Sequence, residues 1–298
     1  MMKYNNISNN IPTIQTYRDA VRYAQRILTQ AGIDNPDYDA LELFLYITGM
    51  DRTRYLINAT DKIDNTALAK YLEAVTKRSH HIPLQHIMGY TYFYGRKYKV
   101  NEHVLVPRQD TEVLVDEVLK ITDSDSRVLD MCTGSGCIII SLAAAGHTTR
   151  EDYGAVGVDI SADALEVAAY NKGINDVPYI RFIESDMFNN VPAEAAAYDV
   201  IVSNPPYIPT KDIRGLADEV KLHDPMIALD GDEDGLKFYR NITDNSRKYL
   251  KKGGYLCYEI GYNQAGDVSD IMASYGYNDI RVVKDLAGLD RVVIARYY

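Results

Sequence analysis

A doubly wound α/β sheet of seven strands with an antiparallel edge, set behind a small helical bundle, is the fold that three features of this 298-residue sequence predict. Before about residue 80 the apolar residues recur at helical spacing. From Arg127 onward, short apolar runs alternate with amphipathic stretches, the pattern of parallel strands joined by crossover helices. The last two apolar runs, Ile280 to Lys284 and Arg291 to Tyr297, are separated by too short a segment for a helix and so form an antiparallel hairpin.

The elements follow in order. Residues 1–15 are polar, Asn-rich and without a period, and are expected to be disordered. Between Tyr17 and Ala31 the positions Ala20, Val21, Ala24, Ile27, Leu28 and Ala31 share one helical face that stops at Gly32. Asp37 to Gly49 and Ala67 to Ser79 repeat the pattern, so residues 16–88 predict a bundle of three helices. Residues 89–106 are β-rich and aromatic around Gly95, a hairpin expected to link two domains, and 107–298 form the second domain. There Thr111 to Ile121 is a helix. Strands are expected at Arg127 to Met131, Tyr153 to Ile160, Tyr179 to Ser185, Asp199 to Ser203 and Tyr255 to Ile260. Helices are expected at Cys137 to Ala145, Ala162 to Lys172, Leu236 to Leu250 and Gln264 to Tyr275.

Composition narrows the function. A net charge of −10 argues against duplex nucleic acid as the main partner, because neutralising phosphates needs a basic surface. No apolar run approaches the roughly 18 residues that span a bilayer, and no targeting segment is visible, so a cytoplasmic location without membrane contact is expected. Cys132, Cys137 and Cys257 are too few and too irregularly spaced for a disulfide framework or a zinc site. The six histidines, His80, His81, His86, His103, His147 and His223, lack metal-ligand spacing, so no metal is expected. Arg247, Lys248, Lys251 and Lys252 are read as complementing the dipole at a helix C-terminus.

Four strand ends carry chemistry. Leu129-Asp-Met-Cys-Thr-Gly-Ser-Gly136 joins the first strand to its helix; Cys132, Thr133, Gly134, Ser135 and Gly136 form a turn whose backbone can approach a ligand, or one that only packs tightly. It lacks the spacing of dinucleotide and P-loop sites and fits S-adenosylmethionine, whose amino-acid tail carries no phosphate. Asp159 ends the second strand, placed to accept from two ribose hydroxyls or to cap the next helix, a job for which Ser161 competes. Asp186 can accept from an adenine amine and Met187 can lie against its ring, or Met187 is core. The fourth strand runs into Asn204-Pro205-Pro206-Tyr207. Asn204 and the Pro205 carbonyl offer two acceptors on a backbone stiffened by Pro206, and Tyr207 offers a stacking face, so the loop selects a planar amide or amino group.

These residues in this order resemble a class I S-adenosylmethionine-dependent methyltransferase acting on nitrogen. The Asn-Pro-Pro-Tyr loop is shared with adenine-specific DNA methyltransferases and does not settle the substrate. Pro83-Leu-Gln-His-Ile-Met-Gly89, Val104-Leu-Val-Pro-Arg-Gln-Asp-Thr-Glu112, Gly231-Asp-Glu-Asp-Gly-Leu236 and Asp285-Leu-Ala-Gly-Leu-Asp-Arg291 resemble the peptide chain release factor N(5)-glutamine methyltransferase (PrmC/HemK) family across nearly the whole chain after about residue 15. The sequence departs from the family's pattern at Cys132, where Gly is frequent, at Gln109, where a second Pro is frequent, and at His223-Asp224-Pro225, where Glu-Pro is usual.

The resemblance implies methyl transfer to the side-chain amide nitrogen of a glutamine in a class 1 peptide chain release factor. Asn204, Pro205 and Tyr207 would carry the reaction. Asn204 is also counted among the cofactor-binding residues, and the helical domain is the expected docking surface. The alternatives are an adenine-specific nucleic-acid methyltransferase, which would need a basic cleft, and a non-enzymatic binding protein with a methyltransferase-like fold.

Overall fold

The computed structural model describes residues 14–150, 154–192 and 197–298. They fall into two compact units divided between Met88 and Gly89. Of the stretch expected to be disordered, residues 1–13 lie outside the described residues; Gln15 already accepts a backbone hydrogen bond from Ile63.

The first unit has five helices among the described residues: α1 (Tyr17–Gln30), α2 (Pro36–Thr48), α3 (Arg52–Asn58), α4 (Asn65–Ser79) and α5 (Leu84–Met88). Thr16 and Asp19 close a reciprocal capping box at the start of α1, and Pro36 opens α2 with the fixed φ that suits a first turn. Leu28, Leu43, Phe44 and Tyr71 are fully buried, and the Tyr71 hydroxyl donates to the Ala40 carbonyl at 2.7 Å. Three helices were expected here; α3 and α5 are additional. Both are short, seven and five residues, too few for a helical period to show.

The second unit opens with the hairpin β1 (Tyr90–Phe93) and β2 (Arg96–Lys99). Expected as a link, it is fastened to the second unit. The Tyr98 hydroxyl lies 2.8 Å from Ser141 Oγ, Lys99 N–H donates to Asn171 Oδ1, and Asn171 Nδ2 donates back to the Lys99 carbonyl. After a 3₁₀ turn (Gln109–Thr111) and α6 (Glu112–Leu119) come β3 (Val128–Met131), α7 (Cys137–Ala144), β4 (Ala155–Asp159), α8 (Ala162–Ile174), β5 (Ile180–Glu184) and β6 (Tyr198–Ser203). Two short helices, α9 (Asp218–His223) and α10 (Met226–Leu229), precede α11 (Lys237–Ser246), β7 (Leu250–Glu259), α12 (Ala265–Ser274), β8 (Tyr277–Lys284) and β9 (Asp290–Tyr297).

The seven strands lie in the order β5-β4-β3-β6-β7-β9-β8, with β9 antiparallel to both neighbours. This is the expected doubly wound sheet with its antiparallel edge. Alternate residues feed opposite faces. Leu129, Met131, Ile201, Leu256 and Tyr258 pack toward α11 and α12, while Val128, Val200, Val202 and Cys257 pack toward α6 and α7. The expected helix at Leu236 to Leu250 ends at Ser246, and β7 begins at Leu250. Lys251 therefore stands in a strand and pairs with Asp199 at 2.7 Å instead of complementing a helix dipole. Tyr153, expected to start β4, lies outside the described residues.

Gly136, at the start of α7, has φ 79°, and a Cβ there would come within 2.9 Å of Ile140 Cδ1 and 3.2 Å of the Ala168 Cβ. It is the residue that lets α7 approach its neighbours. Replacing it by alanine combines a left-handed backbone with overpacking, so Gly136→Ala is expected to lose roughly 2–3 kcal/mol in denaturant unfolding.

Asp130, in β3, is fully buried, and burial pushes its carboxyl up to about 7, against partial relief from the Thr133 hydroxyl. The folded chain therefore holds this proton where the unfolded chain, near its ordinary 3.8, has lost it. The contribution to stability is present below about pH 4 and is lost as pH rises through about 7. Asp130→Asn should flatten this slope. Melting curves of the cofactor-free protein are expected to rise by a few degrees at about pH 8 and to change little near about pH 4.

Candidate active site

The strand order reverses between β3 and β6, the place in an open α/β sheet where loops at the carboxyl ends of strands part and leave a crevice. Met131 and Ser203 pair across these strands, and Ser203 Oγ donates to the Met131 carbonyl at 2.6 Å. The glycine turn and the Asn-Pro-Pro-Tyr loop, separated by about 70 residues in sequence, thereby leave the sheet side by side. Between them lies a cavity of about 430 Å³.

The turn after β3 is held by its own hydrogen bonds and by β4. Thr133 N–H donates to the Val158 carbonyl at 2.9 Å, and the Thr133 hydroxyl donates to Asp130 Oδ2 at 2.6 Å. Gly134 N–H donates to Asp159 Oδ2 at 2.8 Å. Cys132 has φ 61°, Gly134 φ 53° and Gly136 φ 79°. The place where the resembling family often carries Gly is thus one where the backbone is left-handed, and cysteine occupies it against the usual preference. Burial pushes the Cys132 thiol far up, so it is held as a neutral thiol.

Asp159 ends β4 with its Oδ1 accepting from Ser161 N–H at 3.0 Å, while Ser161 Oγ caps α8 by accepting from Ala164 N–H. The capping job belongs to Ser161, which leaves the Asp159 carboxylate facing the cavity with lone pairs to spare. Burial raises its pKa, and the N–H groups of Ser161 and Gly134 oppose the shift.

Cys132, Thr133, Gly134, Ser135, Asp159, Asp186, Met187, Asn204 and Pro206, all expected from the sequence, line this one cavity. Gly136, Pro205 and Tyr207 do not. Gly136 serves helix packing. Pro205, between the wall residues Asn204 and Pro206, is buried, and Tyr207 turns back toward the core of the α11–α12 face, where burial pushes its hydroxyl up to about 12.

Apart from Thr111 and residues adjoining those strand ends, the walls that sequence reasoning did not anticipate come from three places. His103 to Arg108 contributes a run from the loop after β2; Ile227 and Ala228 come from α10; Lys237, Phe238 and Asn241 come from α11. The Val104-to-Glu112 motif was the available signal for the first of these, although it does not name the atoms that face inward. Asp224, at the end of α9, is 3.6 Å from the Arg108 guanidinium, and burial raises its carboxyl to about 6 while Arg108 opposes the shift. Among the described residues, no group of three or more His, Cys, Asp or Glu is placed to hold a metal ion.

Comparison with known proteins matches residues 19–89 to the PrmC N-terminal domain and residues 109–227 to the methyltransferase small domain. A release factor glutamine methyltransferase from Thermodesulfovibrio yellowstonii is 38% identical over 260 residues, covering 86% of this chain and 91% of that protein. One from Clostridium acetobutylicum is 36% identical over 281 residues, covering 93% and 97%. A solved protein-(glutamine-N5) methyltransferase (release factor-specific) from Alicyclobacillus acidocaldarius aligns with 67% of this chain and 99% of that one, at 27% identity and a TM-score of 0.36. With relatives this similar over almost their whole length, the kinship implied by the motifs around the cavity holds: the chain belongs to the release factor glutamine methyltransferase family.

Proposed function

We propose that this protein transfers a methyl group from S-adenosylmethionine to the side-chain amide nitrogen of a glutamine in a class 1 peptide chain release factor. The observation that carries the reading is the shared cavity: a glycine turn suited to the cofactor and an Asn-Pro-Pro-Tyr loop suited to a planar amide open onto it from adjacent strands. Family membership selects the glutamine over an adenine amine.

The residues present suit the cofactor. A Cβ built at Gly134 meets nothing within 4 Å, so the turn leaves open space beside the cavity. Asp159 keeps acceptor capacity for two ribose hydroxyls, and Asp186 is exposed at the cavity edge, where it can accept from an adenine amine while Met187 lies against the ring. When bound, the cofactor supplies a methyl group made electrophilic by a sulfonium. No metal is required for this chemistry.

An amide nitrogen is a poor nucleophile because its lone pair is delocalised into the carbonyl. Asn204 Oδ1 and the Pro205 carbonyl would accept its two N–H groups, favour pyramidalisation and hold the lone pair in line with the methyl. Positioning is then the main catalytic contribution. No general base is assigned, since an N-methylated amide cation sheds its proton readily. The helical unit is assigned to docking the protein substrate; α3 supports this by exposing Leu56 and Ile57 to 72% and 75%. Neither nucleic acid nor membrane is proposed as a partner. Among the described residues no helix is long and apolar enough to cross a membrane.

Asn204→Ala is expected to lower turnover with a release factor by at least about 100-fold while calorimetric affinity for S-adenosylmethionine stays within about threefold. Equal loss of both would remove the substrate role. Asp159→Ala should weaken cofactor binding by about 10- to 100-fold, with Asp159→Asn intermediate because it keeps one acceptor. Label transferred from S-adenosylmethionine to unmethylated DNA and not to a release factor would overturn the proposal as a whole.

A further inference from the structure

Two sequence motifs that line none of the cavity, Gly231 to Leu236 and Asp285 to Arg291, meet behind the Asn-Pro-Pro-Tyr loop. Gly231 and Gly235 press on its last residue. A Cβ at Gly231 would lie 2.9 Å from the Tyr207 Cα, and one at Gly235 would collide with the Tyr207 carbonyl oxygen. The backbone continues the clamp, with Ile208 N–H donating to the Leu229 carbonyl at 3.1 Å and Gly231 N–H to the Ile208 carbonyl at 2.9 Å. From the other side, Asp285 and Arg291 hold the end of β7. Arg291 Nε and Nη2 bond Asp285 Oδ2 at 3.2 and 3.1 Å, and Nη1 donates to the Ile260 carbonyl at 3.2 Å.

Gln264 joins these pieces. Its Nε2 donates to the Tyr207 carbonyl at 3.0 Å and to the Gly235 carbonyl at 3.3 Å, and its Oε1 accepts from Gly261 N–H at 3.0 Å. The side chain is 6% exposed. Gln264 occupies the N-cap position of α12, yet its side chain makes no capping bond. Its carboxamide is spent entirely on tying the reactive loop to the end of β7 and to the start of α11.

We propose that Gln264 is a positioning residue for methyl transfer, holding the Tyr207 carbonyl so that Asn204 and the Pro205 carbonyl stay aimed at the substrate amide. This deepens the glutamine-methylation reading and rests on it. Two hydrogen-bond donors on one buried nitrogen fix the loop at its C-terminal end. Pro205 and Pro206 stiffen the residues between that point and β6, so a loosened Tyr207 is passed back to the two acceptors with little damping.

The test compares Gln264→Met, similar in length but without donors, and Gln264→Glu with the wild-type enzyme on a release factor. Both variants are expected to lose at least about 30-fold in kcat, while KM for the release factor and affinity for S-adenosylmethionine stay within about threefold. Gln264→Glu should recover activity relative to wild type as pH falls, because a protonated carboxyl again donates to the Tyr207 carbonyl; Gln264→Met should not. Hydrogen exchange should quicken at the amides of Ile208 and Gly231 in both. Unchanged kcat, or a loss matched by cofactor affinity and melting temperature, would overturn the positioning role. Failure of the wild-type enzyme to methylate the release factor would instead remove the reading beneath it.

Discussion

The parallel pairing of β3 with β6 is the constraint on which the rest of the molecule depends. A single rung, Met131 opposite Ser203 with a 2.6 Å hydrogen bond across it, sets the glycine turn beside the Asn-Pro-Pro-Tyr loop. The two can share one cavity only because the strand order reverses there, sending the chain to opposite sides of the sheet after β3 and β6. Apolar residues on both faces of these strands lock the register, since a slip of one residue would exchange the sets packed against α6 and α7 and against α11 and α12.

Strain and polarity gather around this rung. Cys132 and Met187, both on the cavity wall, and Asp232, in the segment that clamps Tyr207, hold φ values of 61°, 49° and 73°. Non-glycine residues in that region persist only where their surroundings hold them. Hydrogen-bonded side chains brace the same region: Thr133 and Asp159 for the turn, Gln264 for the loop, and Asn171, whose Nδ2 joins the Ser135 carbonyl to the hairpin. Asp159, Gln264 and Asn171 satisfy backbone groups, and the Thr133 hydroxyl satisfies the buried Asp130 carboxyl. The hairpin is thus part of the support for the glycine turn.

The helical unit is built by more local means. Capping at Thr16, Asp51 and Asp64 starts three of its helices, and a buried Asp39–Arg78 pair at 2.6 Å crosses from α2 to α4. Such a pair adds little net stability, because desolvating two charges offsets much of their attraction.

Residue periodicity by itself determined the order and type of the long elements, since an amphipathic helix or a buried strand writes its burial into a few neighbouring residues. Residue type at the strand ends pointed to Cys132 to Ser135, Asp159, Asp186 and Asn204, with tight packing and helix capping as the competing uses of the glycines and of Asp159. Periodicity missed α3, α5, α9 and α10, each too short to show a period. Only the tertiary structure decided that Tyr207 turns inward instead of lining the cavity, that Ser161 and not Asp159 caps α8, and that His103 to Arg108 and the start of α11 complete the walls. The same holds for Gln264: a glutamine before a helix says nothing in sequence, and its partners are Tyr207, 57 positions away, and Gly235, 29 away. Periodicity records which face of an element is buried; which distant atoms meet across that burial is settled only when the strands pair.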